Sequence, residues 1–140
     1  MEEHTNSILI KKIGGHQSDP TQDPSCFYYL HPSDSVSNKL VSVVFDGTGD
    51  TDWKISMMIS LDAKNKVCFI NGSLSKPTDG SFEEKAWKRS NNMVIGWIIS
   101  SLDRFIAKSV MYFKNASDIW NDLEGRYGTP STSHLYRLQE

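Results

Sequence analysis

The four tryptophans of this chain, Trp53, Trp87, Trp97 and Trp120, each lie in an apolar stripe with helical spacing. Tryptophan is large and amphipathic, and it dominates the energetics of any core or interface that it joins. Four of them, spread over successive helical patterns in 140 residues, define an all-α domain and do not mark an active site. That length favours one domain, with a core large enough to need no disulfide or metal staple.

The helices can be read off in order. Trp53, Met57 and Leu61 recur at i, i+4 and i+8, with Met58 widening the stripe, and predict a first helix from Trp53 to about Lys66. Asp50 or Asp52 would cap it and suit its dipole. Val67-Cys68-Phe69-Ile70 is apolar, and Asn71-Gly72 closes that stretch with a left-handed residue. Ser81-Phe82-Glu83-Glu84 is a capping box before the longest helix, whose inner face holds Trp87, Met93, Val94, Trp97, Ile98 and Leu102. Ser100 to Asp103 breaks the pattern, and a shorter helix follows with Phe105, Ile106, Val110 and Phe113. Asn115 or Ser117 caps the next, with Ile119, Trp120, Leu123 and Tyr127 inward, and Gly128 and Pro130 stop it. Leu135-Tyr136-Arg137-Leu138 opens a further helix that residue 140 would truncate. The expectation is therefore about five helices.

Residues 1–25 are polar and broken by Gly14-Gly15, Asp19-Pro20 and Asp23-Pro24, and they read as a disordered tail. The helical domain is expected over 26–130, with 131–140 as the start of the truncated helix. Leu40 to Phe45 is β-branched and apolar, which suits a short extended segment lying on the core.

Fifteen Lys and Arg against 17 Asp and Glu leave a net charge of −2. A dedicated nucleic-acid module carries a basic excess instead. Lys85, Lys88 and Arg89 share one helical face; a solvated surface explains them, and a weak RNA or partner contact is the sharper alternative. Cys26 and Cys68 sit far apart in unlike contexts and fit free thiols in a reducing compartment. Asn71 and Asn115 match the glycosylation acceptor pattern, which matters only in a secreted chain. No leader or membrane span is apparent, so a soluble protein of the cytoplasm is the expectation.

Several site motifs nearly form and fail. Asp46, Asp50 and Asp52 resemble the start of a calcium loop, yet Thr51 replaces the glycine and Met57 the terminal glutamate. Gly47 and Gly49 lack the third glycine of a dinucleotide loop, since Asp52 stands there. His4, His16, His31 and His134 are as scattered as the cysteines, so no zinc site is expected. No nucleophile elbow appears, and neither a catalytic residue nor a cofactor or small-molecule substrate is assigned.

Phe27-Tyr28-Tyr29-Leu30-His31-Pro32-Ser33-Asp34 with Leu40-Val41-Ser42 resembles the opening of the N-terminal Gag region of plant Ty1/copia retrotransposons. The likeness continues through Trp53, Met57, Leu61-Asp62-Ala63-Lys64-Asn65-Lys66, Phe69-Ile70-Asn71-Gly72-Ser73 and Trp87-Lys88-Arg89. It runs on through Trp97-Ile98, Ile119-Trp120, Arg126-Tyr127-Gly128 and Leu135-Tyr136-Arg137-Leu138. The resemblance implies a capsid-like, non-catalytic domain whose partner is itself. RNA would be met only indirectly, through a downstream region that this chain lacks. It also places the four tryptophans as packing anchors, together with Met57, Leu61, Val94, Ile98, Val110, Ile119 and Leu123. A Gag-derived helical module reused to bind a host protein or RNA is the alternative. The assembling face is not fixed by the resemblance; Tyr112, Phe113 and Lys114 are candidates, although the aromatics fit the core better. The family pattern Gly-x-Asn-Tyr-x-x-Trp is altered here, with Gly49 and Asp50 in place of Asn and Tyr, so a looser start to the first helix is expected.

Overall fold

Phe45, Trp53 and Trp120 form one continuous aromatic stack at the centre of the molecule, with ring centroids 5.1 and 5.4 Å apart. Tyr127 meets Phe45 edge-on at 5.3 Å. The elements around this stack come from a computed structural model that describes residues 12–13, 16–17, 19–48 and 50–128. The fold is all-α. Among the described residues four α-helices carry it: α1 (Asp50–Ala63), α2 (Phe82–Ile99), α3 (Arg104–Val110) and α4 (Ala116–Tyr127). A two-residue antiparallel pair, β1 (Lys12–Ile13) with β2 (His16–Gln17), precedes them. The fifth helix, expected near residue 135, lies outside the described residues.

Helix α1 starts at Asp50, three residues earlier than its apolar stripe suggests, and ends at Ala63 rather than Lys66. The stop is local. Asn65 adopts a left-handed φ of 59°, which asparagine tolerates better than most residues. The altered Gly49 lies outside the described residues, so the looser start expected there has no structural account.

Helix α2 shows a capping box displaced by one residue. Ser81 Oγ accepts from Glu84 N at 3.0 Å, but Glu84 Oε1 accepts from Gly80 N at 2.9 Å instead of from Ser81. The Ser81 N–H is already committed to the Thr78 carbonyl at 3.2 Å. The break at Ser100–Asp103 is real, and Asp103 caps α3 through Ile106 N at 2.9 Å.

The extended segment before α1 reaches the core by alternation. Val41 and Phe45 are buried while Val43 and Val44 face out. Only Phe45 makes a β-bridge, parallel to Leu102, with its N–H donating to Ser101 O and its carbonyl accepting from Asp103 N. Trp53 Nε1 donates to Ser101 Oγ at 2.9 Å, which pins α1 to the same α2–α3 junction. Trp97 Nε1 likewise donates to Ser35 O at 3.1 Å, so both of these indole N–H groups are used.

Residues 19–25, read as tail from composition, form a capped turn. Asp19 accepts from Thr21 N, and Pro20–Gln22 make a 3-10 turn with Pro20 buried. The strap that follows, to about residue 38, lies against the α1 and α2 sides of the core.

Candidate functional site

The residues assigned from sequence as packing anchors, Trp53, Met57, Leu61, Trp87, Val94, Trp97, Ile98, Val110, Ile119, Trp120 and Leu123, all lie in the buried cluster. They are held by helix faces, and Trp53, Trp120 and Leu123 also line a small apolar cleft. Two clefts among the described residues offer about 20 and 40 Å³, enough for a water or two. No three His, Cys, Asp or Glu side chains gather as a metal site among the described residues. No helix among them is long and apolar enough to cross a membrane.

The sequence-predicted basic triplet, Lys85, Lys88 and Arg89, projects from the exposed side of α2. Arg89 borders the larger, polar cleft beside Thr21 and Gln22. Cys26 and Cys68 are both half-buried and are not joined in a disulfide. Burial pushes the Cys68 thiol above its ordinary range, so it resists ionisation.

Sequence reasoning missed a polar clamp. Lys64, Asn65 and Lys66 follow α1 and look like solvated helix-end residues. Each instead holds the strap. Lys64 Nζ pairs with Asp34 Oδ1 at 2.6 Å, and Asn65 Nδ2 donates to Ser25 O at 3.1 Å. Lys66, 1% exposed, donates from Nζ to Tyr29 O at 2.6 Å and Lys64 O at 3.3 Å. Desolvation lowers its pKa from the ordinary lysine value, with the nearby Asp34 charge opposing. Among the described residues no buried side-chain nitrogen or oxygen lacks a partner.

The outward faces are less settled than the interior. Tyr112 and Phe113, named from sequence as candidates for the assembling face although a core role fitted them better, are 86% and 38% exposed. Phe105 is 83% exposed. The reason lies in helix phase: α3 is only seven residues long and buries Ile106 and Val110, one turn apart, so its neighbours on other sides point away. Ile55 and Ile59 are likewise exposed, one turn apart on α1 and opposite the Trp53–Met57–Leu61 stripe. That pair was readable from the sequence once the stripe was fixed, because 55 and 59 fall about half a turn away from it.

Residues 31–78 match the family described as the Gag-polypeptide of LTR copia-type. The matched span contains the strap from His31, all of α1 and the Lys64-Asn65-Lys66 clamp. No curated protein and no solved structure matched the chain.

Proposed function

We propose that this chain, which carries a copia-type Gag region over residues 31–78, is a structural Gag module that self-associates into a capsid or virus-like particle. The observation that carries the reading is that α1 is apolar on both sides. Its inner stripe is buried in the core, yet Ile55 and Ile59 remain 53% and 65% exposed, while among the described residues every buried side-chain nitrogen and oxygen has a partner. Exposed apolar pairs on a well-packed domain mark contact surfaces. A repeated contact between identical copies is the physical requirement of a shell or lattice.

The copia-type Gag polypeptide is a structural component of its element, and the role proposed here is non-catalytic and cytoplasmic. The chain's own partner is a second copy. RNA is reached through regions other than this one, in keeping with the net charge of −2.

Light scattering over a concentration series, with negative-stain electron microscopy of the concentrated sample, tests the reading. Concentration-dependent oligomers or particles are expected. A strict monomer at high concentration, together with a discrete host partner in pull-down, would overturn it in favour of a reused binding module.

A further inference from the structure

Two exposed faces of this chain are complementary to each other in charge and alike in apolar character. On the outer side of α1, Ile55 and Ile59 are bracketed by the exposed carboxylates of Asp52 and Asp62. On the outer side of α3 and the turn after it, the exposed Phe105, Met111 and Tyr112 are accompanied by the exposed cations Arg104, Lys108 and Lys114. The stretch 104–114 contains no carboxylate at all. Phe105 and Lys108, at i and i+3, share one side of α3, and the exposed Tyr112 follows in the turn after it.

We propose that the acidic, isoleucine-bearing face of α1 in one copy packs against the basic, aromatic face of α3 in the next. The inference rests on the self-association reading above and names the surfaces that would carry it. Like-with-like pairing is disfavoured on both faces. An antiparallel α1–α1 contact centred between Ile55 and Ile59 would set Asp52 of each copy against Asp62 of the other. An α3–α3 contact would oppose three cations to three cations. Pairing α1 with α3 instead matches charge. Asp52 and Asp62 lie about 15 Å apart along α1, and the seven residues of α3 span roughly 10 Å before the turn that carries Met111, Tyr112 and Lys114.

Such a contact is heterologous: each copy offers both halves and uses each once. It therefore repeats into rings or open arrays rather than stopping at a dimer. Opposite charges across it set register and reject wrong pairings, and the isoleucines and aromatics supply the apolar burial. Cations interleaved with aromatics could also hold single-stranded nucleic acid. The presence of a matching acidic face on the same chain favours a second copy.

Sedimentation velocity on the full chain, at low and high salt, tests this with charge reversals. D52K/D62K makes both faces basic, and R104E/K108E makes both acidic. Each variant alone is expected to weaken association by about tenfold or more, while a mixture of the two recovers it. The quadruple swap, carrying all four reversals, should also associate as the original does, and salt should weaken every associating form. All positions are exposed, and circular dichroism melts establish that each variant is folded. If the unaltered chain associates but neither reversal changes it, the named surfaces are wrong and the self-association reading stands. If the two reversed variants stay monomeric when mixed, the pairing of α1 with α3 is wrong. If the unaltered chain is monomeric at every concentration, both proposals fall. If R104E/K108E leaves sedimentation unchanged but abolishes binding of a fluorescent oligouridylate, the α3 face is an RNA surface and this inference is overturned.

Discussion

Asn91 of α2 caps α4 from another helix: its Oδ1 accepts the Ala116 N–H at 2.9 Å. The same side chain donates through Nδ2 to Lys114 O at 2.7 Å. Asn115, the residue at the cap position, makes no capping bond of its own. One buried amide thus satisfies the turn between α3 and α4 and fixes α2 against the start of α4. Asn91→Ala should cost about 2–4 kcal/mol, because both a donor and an acceptor of the buried turn lose their partner. Urea unfolding followed by tryptophan fluorescence measures it. A loss under 1 kcal/mol would mean that water replaces the amide without penalty.

Gly96 faces Val36 across the contact between α2 and the strap. A Cβ at residue 96 would lie 2.5 Å from Val36 Cβ and 3.0 Å from its Cα. In an open helix, Gly→Ala gains about 1 kcal/mol. Here overpacking costs roughly 1–3 kcal/mol and should win. Gly96→Ala is therefore expected to destabilise, and Val36→Ala to recover part of the loss in the double variant. A thermal melt in which Gly96→Ala raises Tm would show that the strap moves away freely.

The helices were legible because their determinants are local. The i, i+4, i+8 run of Trp53, Met57 and Leu61 and the Ser81–Glu84 box both act within a few residues. The strap and its clamps were not, because their partners are distant. Lys66 bonds Tyr29 across 37 positions, and Trp97 bonds Ser35 across 62. Lysine and asparagine after a helix read as solvated residues until the fold brings a carbonyl to them. For Tyr112 and Phe113 hydrophobicity favoured a core role over the assembling face also considered for them, but a seven-residue helix offers only one inward face and both lie outward with Phe105. For Ile55 and Ile59 apolar character alone assigned no side.

Lys66 gives the chain a distinctive alkaline behaviour. Its folded pKa lies below its ordinary 10.5, so between those two values the unfolded state binds more protons than the folded one. Stability contributed at this site therefore rises as pH climbs through that window, and the burial cost is fully present below it. The neutral amine keeps two N–H groups for the Tyr29 and Lys64 carbonyls. Tyr28 and Cys68 act in the opposite sense, since both are raised by burial and lose stability as pH passes their ordinary values of 10.0 and 9.0. The comparison of the unaltered chain with Lys66→Met isolates the lysine. Its stability relative to that variant should increase as pH rises toward 10.5, as read from urea melts. A difference that is flat or falling with pH would show that Lys66 is not desolvated as a cation.

Asp34 is the acidic anchor of the strap. Its side chain is 6% exposed and is shared between the Lys64 ammonium, at 2.6 Å from Oδ1, and the His31 N–H, at 2.8 Å from Oδ2. The lysine is 35% exposed, so solvent screens the pair and the Coulomb part is modest. The larger consequence of Asp34→Ala is that the turn 31–34 loses its acceptor while Lys64 regains water. About 1–2 kcal/mol of global stability should be lost. The local effect should be stronger: amide exchange in residues 26–38 is expected to quicken before that of α2, because the strap can lift while the tryptophan stack stays closed. Asp34→Asn keeps an acceptor for His31 and removes only the charge, so it should retain most of the protection. Equal acceleration across the strap and α2 in Asp34→Ala would mean that the clamp and the core open as one unit.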